Sequence, residues 1–346
     1  MKTIGLDVHK DWCQLTAMDD ASGEVVLALK VRSDPEELQR VIGGLPGQKR
    51  VVMEEGTMSA WIADALDGAV EEVVSCDPTV NALIARAEDH NDENDAQRLI
   101  TLCRAGALRA VYTPPEPYRT LRSLVRYDHG LTREITRTRN QIKGLCRRAA
   151  IRYHGIGVYH ARNRDAVAER LPNEALRWEM ESLYKRLDFL RIERVGAHRA
   201  QSRWARSLPE TQRMQSVPGV GPIVARTLAA WVANPGRFKS RKALSAYGGL
   251  GVSQPVTHWQ PTGKAAASRR GQREVKRVLF LAAAAAIQGD NALALRYQRR
   301  LDAGWERRKA IRDIARSILF IAVALWKHET EYQDELVHIP SQPGNA

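Results

Sequence analysis

"TIGLDVHKDWCQLTAMDDASGEVVLALKV", residues 3–31, contains three short apolar runs, 3–9, 12–19 and 24–31, parted by Asp, Ser and Gly. Runs of this length bounded by turn residues read as a meander of three strands. Outward from them the pattern changes. "DPEELQRVIGGL" (34–45) reads as a helix with Asp34 as N-cap and Gly43–Gly44 as its stop. "RVVMEEG" (50–56) is a fourth strand, "SAWIADALDG" (59–68) a helix opened by Ser59, and "EEVVSCD" (71–77) a fifth strand. "PTVNALIARA" (78–87) and "DENDAQRLITLCRAG" (92–106) follow as helices, the second closed by Gly106. Three strands, then alternating helices and strands, predict a mixed sheet flanked by helices over residues 1–113.

The Pro-rich "YTPPEPYR" (112–119) ends that region. Beyond it Leu121, Leu124, Leu131, Ile135, Ile142 and Leu145 recur in steps of three and four, continued through Asp128 and Thr138. This heptad-like seam predicts a helical hairpin or an intermolecular coiled coil over 114–207. An ordinary amphipathic helix packed within its own domain gives the same spacing. Leu176, Met180, Leu183, Leu187 and Leu190 form a second such series. Residues 208–335 form a third region, mainly α-helical. It contains "SVPGVGPIVARTL" (216–228), a Gly-rich turn between two helices, and a Gly-, Ser- and Arg-rich run before an Ala-rich helix. The tail, 336–346, is expected to be disordered.

Composition narrows the function. The 346 residues carry 53 Lys+Arg against 40 Asp+Glu, a formal net charge of +13. That balance points to a polyanionic partner, nucleic acid or an anionic lipid surface. The apolar run "VLFLAAAAAI" (278–287) is too short to span a bilayer. Asp7 interrupts the apolar start, so no signal peptide is expected, and membrane insertion is disfavoured. The scattered cysteines, Cys13, Cys76, Cys103 and Cys146, lack zinc-knuckle spacing and fit a reducing compartment.

Against this basic background, five of the eight residues from Glu88 to Asp95 are acidic. Asp92 and Asp95 stand three apart at the start of a helix and so share one face. Asp7 and Glu54 each end a predicted strand, where an unpartnered charge is costly unless solvated or bound. Together the four carboxylates offer hard oxygen donors suited to Mg²⁺ or Mn²⁺ and to phosphoryl transfer. Each also has a structural reading. Asp92 is a good N-cap, Asp95 suits the helix dipole, and Glu55 competes with Glu54 as the ligand. In the C-terminal region Gly219 and Gly221 allow main-chain N–H groups to approach a phosphate, as in a helix-hairpin-helix, although packed helices use the same turn. Arg133, Arg137, Lys143, Lys264, Arg269 and Arg270 are candidate phosphate contacts.

The spacing "IGLDVHK … VVMEEGT … CDPTVNAL … NDENDAQRL" resembles the N-terminal domain of the bridge-RNA-guided insertion-sequence transposases, the one-ten family. The segment from "RFKSRKALSAYGGLG" to "RRGQREVKRVLFLAA" resembles the C-terminal transposase domain of the same family. The resemblance implies a ribonuclease-H-like, RuvC-like DEDD catalytic domain, a helical coiled-coil middle and a mainly α C-terminal domain. Carried over, the acids are Asp7, Glu54, Asp92 and Asp95, with Asn91 standing where the family usually has a basic residue. It further implies a guide (bridge) RNA, donor and target DNA, a homo-oligomer (dimer or tetramer), and a bacterial cytoplasmic, nucleoid-associated setting. Its composite site joins the acids of one subunit to a nucleophilic serine of another.

That serine has no clear counterpart here. Ser253 and Ser268 are the nearby serines, and spacing alone lands near Thr257. Ser253 ranks first and Ser268 second. Lys264, Arg269 and Arg270 supply the positive field that a hydroxyl nucleophile needs. A metal-dependent junction endonuclease and a non-catalytic nucleic-acid-binding protein are the alternatives. An actin-like kinase also starts with such a strand, but further Gly-rich phosphate loops do not follow.

Overall fold

The computed structural model describes residues 1–77, 92–253, 256–257, 260–261, 266–267 and 270–339. The helix expected at 78–87 lies outside them. The chain divides into two compact units, Met1–Thr113 and Pro114–Ala346.

In the first unit β1 (Lys2–Val8), β2 (Trp12–Asp19) and β3 (Val25–Arg32) pair antiparallel, as the three apolar runs require. The helix α1 (Pro35–Gly43) crosses to β4 (Lys49–Glu54), which lies parallel beside β1. A second helix, α2 (Ser59–Ala65), then leads to β5 (Glu72–Cys76), parallel to β4, and α3 (Asp92–Arg104) completes the unit. The sheet order is β3-β2-β1-β4-β5. Asp34 caps α1 through the Glu37 N–H, which donates to its carboxylate at 3.0 Å, and Gly44 ends that helix. Ser59 opens α2 as its first helical residue, with Met58 at the N-cap, and its hydroxyl donates back to the Gly56 carbonyl.

The two faces of the sheet are filled differently. Ile4, Leu6, Leu15, Val51 and Met53 point to one face and meet Leu38 and Ile42 of α1 and Ile62 of α2. Each fully buried aliphatic side chain contributes about 1.5–3 kcal/mol here. On the other face Val52 and Cys76 pack against Leu99 of α3. Gly5 permits that packing, because a Cβ there would run into the Ala96 carbonyl and crowd Ile100. At the far end of α3, Arg104 donates to the Asp20 carbonyl at 3.2 Å, and Asp20 is itself bonded to Met1. The helix therefore runs antiparallel to β1, and its first turn lies at the strand's carboxyl end.

The second unit opens with α4 (Tyr118–Arg148), α5 (Ala161–Glu169) and α6 (Glu174–Trp204). Ion pairs Arg148–Glu179, Glu134–Arg186 and Asp128–Arg194 register α4 antiparallel to α6. From Leu131 to Leu145 the seam is thus buried in a hairpin within the chain, against Met180, Tyr184, Leu187 and Leu190 of α6. Leu124 and Leu183 are half-buried, while their neighbours Val125 and Tyr184 are buried. Asp128, 1% exposed, sits inside the pair and is held by Arg194 at 3.0 Å and His198 at 2.9 Å. Removing its partners would leave an uncompensated buried carboxylate, a strongly destabilising change.

The remaining helices are α7 (Pro209–Gln215), α8 (Pro222–Val232), α9 (Arg241–Tyr247), α10 (Arg273–Ala286), α11 (Ala292–Asp302) and α12 (Arg307–His328). Between α9 and α10 lie the two-residue strands β6 (Val252–Ser253), β7 (Val256–Thr257), β8 (Gln260–Pro261) and β9 (Ala266–Ala267), which the sequence reading did not anticipate. One core joins Leu121 and Val125 of α4 to Leu228 and Trp231 of α8, Leu279 of α10 and Ile318 of α12. The start of the expected disordered tail is corrected: 334–336 form a 3₁₀ turn, Val337 packs on this core, and Arg296 donates to the His338 carbonyl at 2.7 Å. Residues 340–346 lie outside the described residues.

His129 in α4 is buried near Trp231, ring centroids 6.4 Å apart. Burial first, then the Arg277 charge, lower its pKa to about 4, against the opposing pull of Asp128. An unfolded imidazole takes up its proton near 6.5. Stability from the neutral ring is therefore full above about pH 6.5 and is lost as pH falls toward 4, by at most about 3 kcal/mol. Denaturant melts at pH 7.5 and 4.5 check this. His129→Leu is expected to narrow the difference between the two, whereas an equal difference in parent and variant contradicts it.

Candidate active site

The parallel register pairs Leu6 with Met53. One residue further, Asp7 and Glu54 stand side by side at the carboxyl ends of neighbouring strands, about 4.8 Å apart in the pairing direction. Alternation settles their face. Ile4 and Leu6 point to the α1 side, so Asp7 shares the α3 side with Gly5. Met53 points to the α1 side and Val52 to α3, so Glu54 also faces α3. Glu55 follows the strand, is exposed, and its N–H donates to the Cys76 carbonyl at 2.8 Å.

Gly5 contacts Ala96, so the turn before Ala96, which carries Asp92 and Asp95, overhangs this edge. One helical turn back along α3 is about 5.4 Å, close to the two-residue rise from Gly5 to Asp7. Asp95 is 39% exposed and accepts from Arg98 at 2.7 Å. The main chain of Asp92 begins α3, and its carboxylate lies outside the described atoms.

Two partners of the acids were not foreseen. His9 Nε2 lies 3.0 Å from Asp7 Oδ2, with its ring 4.1 Å from Trp12, which Lys30 covers in turn. Strand alternation was the available signal, since residues 7 and 9 share a face. Arg98 is the other, one turn beyond Asp95. Among the described residues no three acidic, His or Cys side chains are gathered closely enough to hold a metal ion. The structure brings Asp7, Glu54 and Asp95 to one edge and one face without closing them on a point. Their donor chemistry, all carboxylate oxygen at a solvent-facing strand edge, fits Mg²⁺ or Mn²⁺.

In the second unit the turn between α7 and α8 has the two expected glycines in different settings. Gly219 has φ +81° and lies against α10, where a Cβ would strike the Ala282 carbonyl. Its freedom serves helix packing. Gly221 is exposed at the N-cap of α8, with nothing within 4 Å of an added Cβ. Arg133 and Arg137 are exposed one turn apart on α4, and Arg270 is exposed before α10. Lys143 is half-buried, its ammonium 5.7 Å from the Tyr153 ring and 5.6 Å from the Tyr159 ring. Lys264, Ser268 and Arg269 lie outside the described residues.

Ser253 ends β6, paired with Ala266 of β9, and Thr257 ends β7, paired with Gln260 of β8. Their hydroxyls are outside the described atoms. The base of this segment is pinched by a contact that the sequence reading missed. Gly249 (φ +67°) and Gly271 (φ +100°) lie so close that a Cβ on Gly271 would strike the Gly249 main chain. Gln272 N–H donates to the Tyr247 carbonyl at 2.8 Å, and the Gln272 side chain accepts from Trp231 Nε1 at 3.1 Å. The segment carrying Ser253 and Thr257 therefore leaves and re-enters the helical core at one point.

Comparison with known proteins decides the family. A transposase family of the IS110 DEDD type matches residues 4–150, spanning Asp7, Glu54, Asp92 and Asp95. The IS116/IS110/IS902 transposase family matches residues 211–298, spanning Gly219 to Arg270. The chain belongs to the IS110 transposase family. It is 26% identical over 262 residues to the transposase for insertion sequence element IS1111A of Coxiella burnetii, covering 72% of this chain and 68% of that protein. It is 28% identical over 128 residues to an insertion element IS110 uncharacterized 43.6 kDa protein of Streptomyces coelicolor, covering 37% of this chain and 31% of that one. The first IS110-type match covers the strand-edge acids and α4. The second covers the α7–α8 turn and the pinched segment. Among the described residues no helix is long and apolar enough to cross a membrane.

Proposed function

We propose that the chain cuts and rejoins donor and target DNA at sites chosen by a structured guide RNA, the bridge RNA that its family resemblance implies. The observation that carries the reading is the common edge of Asp7, Glu54 and Asp95, at strand ends and a helix start matched by the IS110 DEDD family. The order β3-β2-β1-β4-β5, with the last two pairings parallel, supports a ribonuclease-H-like, RuvC-like catalytic domain. Asp7, Glu54, Asp92 and Asp95 would hold the divalent ion, Mg²⁺ or Mn²⁺. When bound, it supplies positive charge to the phosphate oxygens as bonds change.

The remaining work falls to the protein's own groups. His9 orients Asp7 through their 3.0 Å contact and is placed to accept or return a proton at the edge. Arg98 draws the Asp95 carboxylate toward the helix. The Ser253 hydroxyl, with Ser268 and Thr257 as alternatives, attacks phosphorus. One P–O bond to serine replaces one P–O bond to the sugar, so bond energy is kept for rejoining. Gly221, Arg133, Arg137 and Arg270, with Lys264 and Arg269, bind phosphates. The acids of one subunit and the serine of another complete the site in a dimer or tetramer.

A second reading, hydrolysis of junction DNA by an activated water, draws on His9, which is positioned as a base beside Asp7. The proposed function is tested by sequencing nucleic acid that copurifies with the protein. A discrete structured RNA encoded beside the gene is expected. RNA no more enriched than total cellular RNA contradicts guidance.

A further inference from the structure

A cleft of about 960 Å³ opens in the second unit between α10 and the turn joining α11 to α12. It borders β6 through Val252 and has no role in the account above. Phe280, Trp305 and Ile311 supply an apolar wall, while Arg308, Lys309 and Arg312 line it with positive charge. Glu306 is the acidic group on the lining, outnumbered by these cations and Lys276.

The wall is held in place before any ligand arrives. Arg300 lies 4.3 Å from the Trp305 ring centroid and is tied to Asp313 at 3.1 Å. Asp313, only 11% exposed, also accepts from Arg296 at 2.9 Å. Trp305 is therefore braced by an arginine that a buried carboxylate fixes. Lys309 also lies over the ring, its ammonium 4.1 Å from the centroid, and is exposed. Its long stem lets it move from ring to phosphate when a planar group takes the ring face.

We infer that this cleft binds an unpaired nucleotide segment, with one base against Phe280 and Trp305 and the flanking phosphates on Arg308, Lys309 and Arg312. The inference rests on the nucleic-acid reading above. Aromatic side chains interleaved with cations are the chemistry of single-strand binding, because every base has a π-face and every linkage a charge. The volume is at the upper end for small-molecule sites, room for a nucleotide or two and not for a duplex. An unstacked, unpaired strand is what a protein that opens duplexes or holds folded RNA must accommodate. The chemistry is shared by DNA and RNA, so the test uses both.

Fluorescence anisotropy of labelled eight-residue deoxy- and ribo-oligothymidylate or uridylate, alongside a 20-base-pair duplex, separates the possibilities. Trp305→Ala is expected to weaken single-strand binding by about 5- to 100-fold, the loss of one stacked base. Duplex affinity should stay within twofold. Trp305→Phe should restore most of the loss, which excludes misfolding as its cause. Arg308→Ala with Arg312→Ala should lower the slope of log K against log salt by about 1–2 for the single strand. The stronger effect on the deoxy or the ribo probe identifies the strand that the cleft serves. Equal losses on duplex and single strand overturn the inference, as does an unchanged single-strand affinity in Trp305→Ala. A parent protein that binds neither probe nor duplex refutes the nucleic-acid reading itself.

Discussion

Asp7→Asn and Glu54→Gln are each expected to reduce DNA strand cleavage by at least about 10²–10³-fold, the scale of losing one preorganised charge at a reacting centre. Both changes keep side-chain size while removing the charge and turning one acceptor oxygen into an NH₂ donor. Asp7 and Glu54 end strands whose inward neighbours, Leu6 and Met53, are fully buried. The sheet therefore keeps its core in either variant, and RNA retention and thermal midpoint are expected to stay near the parent's. Glu24→Gln, an exposed acid on the turn between β2 and β3, is the control and leaves cleavage unchanged. Time courses on a labelled DNA substrate measure all three. Cleavage within a few-fold of the parent in both active-edge variants would remove the acids from the site.

If Ser253 is the nucleophile proposed above, Ser253→Ala is expected to eliminate the covalent protein–DNA adduct while assembly with RNA and both DNAs persists. A hydroxyl that attacks phosphorus leaves the protein joined to one DNA end, and alanine has no atom with which to form that bond. Ser253 pairs through its main chain with Ala266, so alanine preserves the two-residue ladder between β6 and β9. Ser268→Ala lowers activity only in part, because its place before Arg269 suits a phosphate seat. Suicide substrates with a nick near the cleavage site trap the adduct as a slow, protease-sensitive band. An adduct that survives Ser253→Ala and disappears in Ser268→Ala reverses the ranking. Loss only in Thr257→Ala selects the threonine. A cleaving parent that forms no adduct favours water as the nucleophile, with His9 beside Asp7 as its base.

Much of the first unit is legible in residues 3–31 and the elements after them, because β-strands joined by short turns carry their signal locally. Lys2–Val8, Trp12–Asp19 and Val25–Arg32 fall within about a residue of the three apolar runs. Asp34 is a cap readable from its neighbours. Ser59 opens its helix as read, and its hydroxyl turns back to Gly56, a bond its neighbours do not reveal. The seam of α4 keeps its expected spacing from Asp128 to Leu145, but its first turns face a second core, which includes Leu228 and Trp231 of α8. Val125 is buried there in place of Leu124, and on α6 Tyr184 is buried in place of Leu183, its hydroxyl donating to the Val158 carbonyl. Each acid is visible singly. Their shared edge depends on Gly5 accepting Ala96 and on the direction of α3, which is a long-range fact with no local trace. The same holds for the Gly249–Gly271 contact that closes the Ser253 segment, and for Gly219, whose positive φ meets α10.

Mn²⁺ binding read by electron paramagnetic resonance tests most directly whether the strand-edge acids form one divalent-ion site. Titrating Mn²⁺ into the parent should deplete the free-ion signal until the site fills. Asp7→Asn and Glu54→Gln should each weaken that binding at least about tenfold, whereas Glu24→Gln should follow the parent curve. Binding curves that superimpose for the parent and both active-edge variants would contradict the account.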